Sequence, residues 1–591
     1  MPNIIRIGNA HGFWGDRLDA AAEMLEREPD LDFITLDFLA EVSMSILAMQ
    51  RAKDPDAGWP RDVVEVVRSL APYWRNGGRC RFITNAGGLN PVACARACQQ
   101  ALAEAGCTDR KIVAVTGDDV LGLIQDDESP LLNNLDTGES LARVRDRLVT
   151  ANAYIGAESV AQALALGADL VIAGRVADPS LTVGACAHAF GWSWADWDRL
   201  AGATVAGHLI ECGAQVTGGI STDWLDVHDA AEIGFPIVEV AADGSFVVTK
   251  PRGTGGRVCE QSVKEQLVYE IGDPGNYLSP DVSVSFLSLQ VTDVGENRVR
   301  VAGAQGRPAP MTYKVSATYR DGFRAQGQLT VFGNNAVAKA RRAGEVVLER
   351  LKQRGITFRE SLVECLGSGA CNPQLIDNEL MSQMTETVLR VTVADDSREA
   401  VTRFTRELMP LITAGPPGTT GYVEGRPSVH PVFRYWPCLI ERDRVTPKIT
   451  LLDWRAGSVS PPVFGTPFDS EPTGGLTPPA RLVIRHEVSA DQLVTTRLGD
   501  IATARSGDKG INANIGAIAR RPEDYALLCR ELTAERVAAH FGLSDVQRVQ
   551  RFELPNLGAL NFILHGVLAN SLRVDAQGKT LGQALLMMPL R

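Results

Sequence analysis

The sequence predicts an α/β protein whose larger part contains a mostly parallel sheet. Apolar strand-like runs alternate with helical stretches from residue 1 to about 235, a pattern typical of a sheet covered on both faces. Runs rich in β-branched residues follow at about 236–335 and predict a mixed β insert. A stretch rich in proline, glycine and serine then precedes a compact final unit. Because 591 residues exceed one ordinary core, we expect a large domain at 1–455, a linker at 456–481 and a small domain at 482–591.

Five predicted strands each end in a loop that is rich in polar residues or glycine. In an open α/β sheet the carboxyl ends of parallel strands share one edge, so we expect these loops to gather around one ligand site. The strands are predicted at 4–7, 33–36, 81–84, 112–115 and 170–173, and the loops at 8–16, 37–41, 85–90, 117–119 and 174–180. Helices are predicted between the strands at 18–27, 63–70, 91–105 and 157–166, and later strands include 282–290, 312–318 and 326–331.

Composition and charge exclude several classes of protein. A net charge of -12 and the lack of any Lys/Arg block argue against a nucleic-acid partner. No apolar run reaches the length of a membrane span, and the first residues lack the pattern of a secretion signal. The cysteines, 11 in all, are spread over the chain, as expected for reduced thiols. We therefore expect a cytoplasmic protein with neither a nucleic-acid nor a membrane partner.

The first loop is rich in glycine and ends in a charged pair. Gly8, Gly12 and Gly15 leave room for a ligand near the backbone, but their spacing is not that of the dinucleotide-binding turn. Arg17 could bind a substrate carboxylate through two hydrogen bonds. Asp16 could contact substrate, or it could cap the next helix.

Carboxylates follow the second strand at Asp37 and Glu41. Asp37 lies about 20 residues beyond the glycine turn, where a dinucleotide fold places its ribose-binding acid. The alternative is a loop carboxylate that pairs with Arg17 or with a helix start. Glu41 is a candidate catalytic carboxylate.

The third loop combines amides with a glycine pair. Gly87 and Gly88 could form a backbone nest for an anion, and Asn85 and Asn90 could orient a carbonyl or amide group. Sequences of this kind also form ordinary turns. We interpret Asn85 as a candidate catalytic donor and the other three residues as candidate substrate contacts.

The fourth and fifth loops carry the predicted acid/base pair and an anion-binding arginine. Repulsion between Asp118 and Asp119 should raise one pKa, which suits general acid/base catalysis, although the two could also bind Mg²⁺ or cap a helix. Arg175 is the best partner for a substrate carboxylate or phosphate, unless it pairs internally with Asp178. Asn152, just upstream, is a further candidate contact.

Two later segments have the residue types of a ligand site. His208, Glu211 and Cys212 share one face of a helix, where they could bind zinc or pair a thiol with a base; a buried structural cysteine is the alternative. Lys250 and Gly255 belong to a basic glycine-rich loop that could bind the phosphates of coenzyme A, or that could be an ordinary solvent-exposed loop.

The final unit contains a loop that is dense in polar and small residues. This composition exceeds what a simple turn requires, so we expect the loop to contact another domain or the substrate. Its candidate binding residues are Arg505, Asp508, Lys509, Asn512 and Asn514.

These segments, taken together and in this order, resemble the acyclic terpene utilisation family AtuA. In the larger part the resemblance rests on 13–17, 84–91, 116–119, 152–156, 174–180, 207–219 and 250–256, and in the final unit on 504–516, 555–562 and 577–581. It implies a large core followed by a small ferredoxin-like α+β domain. His11 and Trp14 depart from the family pattern in the first loop, and Ile511 replaces a polar residue. The resemblance implies no settled reaction and no assigned catalytic residue.

We interpret the chain as a lyase, more narrowly a hydratase or dehydratase, that acts on a branched acyl-CoA or a related carboxylate. Such chemistry needs an acid/base pair and donors for an enolate oxygen, and it runs without a redox cofactor, so neither a cofactor nor a metal is expected. Asp118 or Asp119 would act as acid/base, Asn85 as donor, and Arg175 with Lys250 as anion clamp. The alternatives are an NAD(P)-dependent oxidoreductase and a non-catalytic partner subunit of an acyl-CoA enzyme. A homo-oligomer that binds a small-molecule substrate is expected.

Overall fold

The computed structural model describes residues 2–40, 43–423, 425–452, 463–464 and 496–590. Among these residues, eleven strands form one large sheet, and five neighbouring strands in its interior are parallel, as predicted. Antiparallel strands extend both ends, and those of the predicted insert lie at one end. In order across the sheet the strands are Gln290–Gly295, Arg298–Ala302, Phe246–Thr249, Ile237–Ala241, Ile4–Asn9, Phe33–Leu36, Arg81–Thr84, Leu170–Ala173, Ile112–Thr116, Lys448–Leu452 and Val463–Phe464.

Helices cover both faces of the large sheet and bury its apolar strands. All four residues of Phe33–Leu36 and of Leu170–Ala173 are buried, as expected for parallel strands between two helical layers. Helix Pro91–Glu104 shows how one such helix begins: Asn90 accepts a hydrogen bond from the Ala93 amide, and Pro91 occupies the first turn. The other helices of this part are Ala20–Arg27, Ser43–Arg51, Asp62–Ser69, Ala71–Arg75, Leu121–Ile124, Glu158–Ala165, Asp178–Phe190, Trp197–Ile210 and Glu260–Leu267.

A second sheet is built around one long strand, Thr312–Phe332. The sequence predicts two strands here, but the chain continues through a bulge between Arg320 and Phe323, where Gly322 adopts a φ of +79°. The strands that pair in this sheet also include Leu148–Ala153, Glu360–Leu366, Glu386–Asp395, Thr419–Thr420 and Val429–Glu441. Its helices are Ala336–Gln353, Asn378–Gln383, Arg398–Leu408 and Leu411–Ala414. A three-stranded sheet pairs Gln305–Arg307, Ser283–Ser285 and Tyr277–Leu278, so the predicted strand 282–290 is shorter than expected.

The final unit is a small α+β domain, and this confirms the predicted fold class. Its antiparallel sheet has the strand order Ala502–Lys509, Asn512–Ala519, Ala559–Leu564 and Val549–Leu554. Its helices are Leu498–Ile501, Asp524–Glu531, Ala534–His540 and Leu581–Leu586. The domain has a core of its own, but Ile518, Leu554, Leu557 and Ala559 pack into the core of the large domain. Most of the predicted linker 456–481 lies outside the described residues; the exception is the short strand Val463–Phe464.

None of the helices that the structure describes combines the length and the apolar character that a membrane crossing requires.

Candidate functional site

Side chains from three neighbouring parallel strands meet at the carboxyl edge of the large sheet. Arg175, only 3% exposed, follows the strand Leu170–Ala173. Its guanidinium donates to Asp178 Oδ1 at 2.7 Å and to the Leu39 carbonyl at 3.2 Å. From the next strands, the Asn85 amide donates to Asp37 Oδ1 at 2.7 Å. The edge therefore brings a buried cation and two carboxyl groups together.

The positive charge of Arg175 lies beside the carboxyl groups of Asp37 and Asp178. Burial, followed by the nearby Asp178, raises the pKa of Asp37 well above its ordinary value, although Arg175 acts in the opposite direction. Burial lowers the pKa of Arg175, but Asp178, Tyr154 and Asp37 together raise it above its ordinary value. Arg175 thus forms an ion pair with Asp178, while burial favours the neutral form of Asp37.

The predicted acid/base pair Asp118–Asp119 occupies two different environments. Asp118 is 3% exposed, and its Oδ2 accepts hydrogen bonds from the Asn152 amide at 2.8 Å and from the Arg175 backbone N–H at 2.9 Å. Burial raises the pKa of Asp118. Asp119 is exposed and accepts from the Leu121 amide at 3.1 Å, in a local turn just before helix Leu121–Ile124. Asp118 therefore holds Arg175 and Asn152 in place, whereas Asp119 stabilises a surface turn.

Glu211 lies at the end of helix Trp197–Ile210, next to the first strand of the sheet. The Asn9 amide donates to the carbonyls of Ile210 at 2.6 Å and Glu211 at 3.2 Å, which fixes this helix end at the sheet edge. Glu211 Oε2 is buried and has no hydrogen-bond partner among the described residues. Burial, followed by Asp178, raises the pKa of Glu211 well above its ordinary value. Burial thus favours the protonated form of Glu211, and one oxygen of this carboxyl group has no partner among the described residues.

His208 lies one helical turn before Glu211. Its Nδ1 is 3.5 Å from Glu211 Oε1, and its Nε2 is 3.2 Å from the Gln266 carbonyl oxygen. A carbonyl only accepts, so Nε2 carries the proton and Nδ1 presents a lone pair to Glu211. Burial, followed by the charge of Lys509, lowers the pKa of His208 to about 4. The imidazole is thus neutral near pH 7.

Cys212 follows Glu211 and remains a thiol. Burial, followed by Glu211, raises the pKa of Cys212 well above its ordinary value, which disfavours the thiolate that a nucleophile needs. Within the described part of the chain, no group of three or more His, Cys, Asp or Glu side chains is arranged to hold a metal ion. The sequence reasoning grouped these neighbours correctly, but the geometry favours a carboxyl group supported by a neutral histidine.

The small domain places basic side chains beside this edge. Lys579 Nζ donates to Glu270 Oε1 at 2.7 Å and to the Tyr269 hydroxyl, and it lies 3.4 Å from Asp508 Oδ1. Burial opposes ionisation of Glu270, but Lys509 and Lys579 lower its pKa below the ordinary value. Glu270 also has a left-handed φ of +53°, a conformation that costs free energy and that the surrounding contacts must maintain.

Buried polar contacts fix the small domain against the large one within the same chain. Arg505 donates to Glu265 Oε2 at 3.1 Å, and these side chains are 3% and 0% exposed. The Glu270 amide donates to Asn514 Oδ1 at 2.7 Å, and Asn512 Nδ2 donates to an Asp136 oxygen at 3.2 Å. The predicted polar loop therefore contacts the large domain directly, and its side chains are largely used to hold that contact.

Other residues predicted for substrate binding serve the local structure instead. Arg17 is a surface residue that pairs with Asp19 at 3.0 Å and Glu23 at 2.8 Å. Asp16 accepts from the amides of Gly12 and Arg17, both at 2.9 Å, and so closes the first loop rather than capping a helix. These hydrogen bonds and ion pairs occupy the side chains of Asp16 and Arg17, which the sequence predicted to contact a substrate.

The glycine-rich loops also pack against the protein itself. The Gly87 and Gly88 amides donate to the Ala173 and Asn85 carbonyls at 2.9 and 3.2 Å, so an anion nest there has no spare donors. Asn90 caps its helix, as described above. A Cβ on Gly12 would lie 2.6 Å from the backbone of Cys212, so this glycine allows the first loop to pack closely against the Cys212 backbone.

The basic loop after strand Phe246–Thr249 is folded on itself. Lys250 Nζ donates to the Thr254 carbonyl at 2.5 Å, and a Cβ on Gly255 would lie 2.0 Å from the Asp229 carbonyl oxygen. Neither residue contacts the group around Arg175 in the described contacts. Glu41 lies outside the described residues.

Sequence reasoning missed several residues that the fold brings to this site. They are Tyr154, whose ring centroid is 4.2 Å from the Arg175 guanidinium carbon, and Tyr269, Glu270, Lys314 and Lys579. Tyr154 follows the flagged residue Asn152, and Lys579 falls within the segment 577–581 that supports the family resemblance. No spacing rule could pair Lys579 with Glu270, because 309 positions separate them.

Comparisons with known proteins give two matches that cover most of the chain. The model of the acyclic terpene utilisation family protein AtuA matches residues 5–451, and that of the AtuA ferredoxin-like domain matches 496–591. A search of the curated proteins gave no match, and neither did a search of the solved structures. The suspected family is thereby confirmed together with the fold of the small domain: the chain belongs to the AtuA family and has the role in acyclic terpene utilisation that this membership implies.

Proposed function

We propose that this AtuA protein is a hydro-lyase that adds water to, or removes it from, a branched acyl compound, either a CoA thioester or a free carboxylate. The family supports a place in acyclic terpene utilisation. The observation that carries the reaction type is Glu211, whose carboxyl group has an unused buried oxygen beside the Asp178–Arg175 ion pair. A protonated acid near an ionised carboxylate is the arrangement that reversible dehydration needs.

In dehydration, Glu211 acts as the general acid. It gives its proton to the leaving hydroxyl group, the carbon–oxygen bond breaks, and water departs. His208 Nδ1, 3.5 Å away, carries no proton and so offers the carboxyl group no competing proton. Asp118, which the sequence predicted together with Asp119 as the acid/base pair, accepts a hydrogen bond from the backbone N–H of Arg175.

The base in this scheme is Asp178. Its side chain is 28% exposed, so it can reach a substrate, and Arg175 donates to its Oδ1 at 2.7 Å and more weakly to its Oδ2 at 3.5 Å. It removes the proton next to the carbonyl group, and the electron pair of that carbon–hydrogen bond forms the double bond. In the hydration direction Asp178 returns this proton to carbon, and Glu211 accepts one from the attacking water.

Positive charge from both domains stabilises the negative charge that gathers on the carbonyl oxygen in the transition state. Arg175 supplies it from the large domain. Lys509 supplies it from the small domain, close enough to affect the pKa of both Glu211 and His208. This assignment replaces Asn85, whose amide is already bonded to Asp37.

The test is the rate of Glu211→Gln on a panel of branched 2-enoyl and 3-hydroxyacyl CoA thioesters and the matching free acids. Loss of the proton donor should lower kcat by about 100-fold or more, the scale of general acid catalysis. Glu349→Gln, on an exposed helix, is the matched control and should keep the wild-type rate. For the wild type, the rate should fall as pH rises through the pKa of Glu211.

The rival functions give different outcomes in the same experiment. Turnover by Glu211→Gln at the wild-type rate, or no turnover of any panel member by the wild type, overturns the hydro-lyase. A melting shift with NAD(P)H favours the oxidoreductase. Intact pathway flux in cells that carry Glu211→Gln favours the non-catalytic partner.

A further inference from the structure

The second sheet turns a polar face toward the edge of the large sheet. In the antiparallel pairing of Leu148–Ala153 with Thr312–Phe332, Ser316 lies opposite Asn152. Tyr154 donates its amide to the Lys314 carbonyl at 2.9 Å, two residues further along. Because side chains alternate along a strand, Lys314 and Ser316 share one face with Asn152 and Tyr154. Contacts of Asn152 with Asp118 and of Tyr154 with Arg175 show that this face borders the site.

Lys314 is the notable charge on this face. Its Nζ lies 5.5 Å from the centre of the Tyr154 ring and 5.6 Å from that of Tyr435, distances at which an aromatic ring attracts a cation. The side chain is exposed. Among the residues that the structure describes, no carboxylate forms an ion pair with it, in contrast to Arg175, which is bound to Asp178.

Two polar atoms on the same face also lack a partner. Asn152 Oδ1 and Ser316 Oγ are buried without a hydrogen bond among the described residues, and both side chains are 1% exposed. Of the two, the Ser316 hydroxyl can donate a hydrogen bond to an anion, whereas the Asn152 amide oxygen can only accept one. The face thus combines a cation that has no carboxylate partner among the described residues with one unused hydroxyl donor.

We propose that Lys314, held between the rings of Tyr154 and Tyr435, binds a carboxylate or phosphate group of the molecule that occupies the Arg175 site. The proposal rests on the proposed function for the position of that site. In a free acid, Lys314 would bind the carboxylate; in a thioester, it would bind a phosphate of coenzyme A. Lys314, on the second sheet, thereby takes the anion-binding role that the sequence predicted for Lys250.

The test measures binding of 3-methylbutanoate, coenzyme A and inorganic phosphate by calorimetry. Lys314→Met should raise Kd at least tenfold for the anion that binds, whereas Lys314→Arg, which keeps the charge, should stay within a few-fold of the wild type. Lys352→Met removes an exposed charge from the end of helix Ala336–Gln353 and should leave Kd unchanged. Affinity should fall as salt is added. Binding of coenzyme A and phosphate identifies a phosphate site, and binding of 3-methylbutanoate alone identifies a carboxylate site.

The same measurement on Glu211→Gln separates the two proposals. This variant should bind the anion as the wild type does, because Lys314 is intact, even though turnover is lost. Wild-type affinity in Lys314→Met overturns the anion site, and so does the absence of binding by the wild type to all three probes. Neither result bears on whether Glu211 is the acid.

Discussion

Arg175 is the residue that sets the charge balance of the site. Three carboxyl groups, those of Asp37, Asp178 and Glu211, lie close enough to affect one another, and Arg175 pairs directly with one of them. Burial makes further negative charge costly and raises the pKa of the other two carboxyl groups, Asp37 and Glu211. The proposed hydro-lyase depends on this high proton affinity of Glu211.

The pH dependence of stability should reveal the neutral state of His208. Its pKa is about 4 in the folded protein and 6.5 as an ordinary value, so between these limits the unfolded chain binds a proton that the folded chain does not. The free energy of unfolding should therefore fall as pH drops from 6.5 to 4, by up to ~3 kcal/mol from this group. Urea unfolding across this range, for the wild type and His208→Gln, measures the difference. Identical pH profiles would contradict the buried neutral imidazole.

The location of individual residues was predictable where it followed from the end of a strand. Arg175 and Asp178 come shortly after an apolar strand, and both lie at the sheet edge that forms the candidate site. Asp118 also follows a strand, but its hydrogen bonds to Asn152 and Arg175 give it a supporting position that only three-dimensional packing could show. Glu211 follows the end of helix Trp197–Ile210, and the local sequence does not predict that this helix end lies at the carboxyl edge of the large sheet.

At the scale of elements, the long strand Thr312–Phe332 shows where local patterns mislead. Asp321 and Gly322 separate two apolar runs and resemble a hairpin turn. In the fold Gly322 bends one continuous strand, and Asp321 is buried against Arg147, Arg359 and Arg434. Tertiary ion pairs, which are absent from the local sequence signal, decide between a turn and a bulge.

Contact between the strand Asn512–Ala519 and the large domain should depend on the absence of a side chain at Gly516. A Cβ there would lie 2.0 Å from Val268 Cγ2, just after helix Glu260–Leu267. Gly516→Ala should therefore destabilise the protein by about 1–3 kcal/mol, the usual cost of overpacking. Gly122→Ala, where no atom lies within 4 Å of the new Cβ, is the control. Equal thermal midpoints for the two variants would disprove close packing at Gly516.

For the whole molecule, the sequence predicted the parallel sheet and its shared edge, because alternating strands and helices leave few other arrangements. It did not predict how the small domain meets that edge. Arg505 and Glu265 lie 240 positions apart, and neither belongs to a motif that refers to the other. Contacts of this kind follow from the complete fold rather than from a local pattern.

The buried ion pair Arg505–Glu265, which joins the two domains, should contribute more to the free energy of unfolding than an exposed ion pair does. Arg505→Met leaves Glu265 buried without its partner and should lower the free energy of unfolding by about 3–5 kcal/mol. Arg68→Met removes half of an exposed pair, whose side chains are 52% and 54% exposed, and should cost less than about 1 kcal/mol. Guanidinium unfolding measures both. A similar decrease in the free energy of unfolding in the two variants would contradict a larger contribution from the buried ion pair.

The position of Lys509 on the small domain has a consequence for shortened forms of the chain. In the folded protein its charge lowers the proton affinity of Glu211, whereas burial raises it. A chain that ends before residue 496 would lack this charge, and its Glu211 would hold the proton more tightly. The titration of a carboxyl group in the large domain therefore depends on correct docking of the small one.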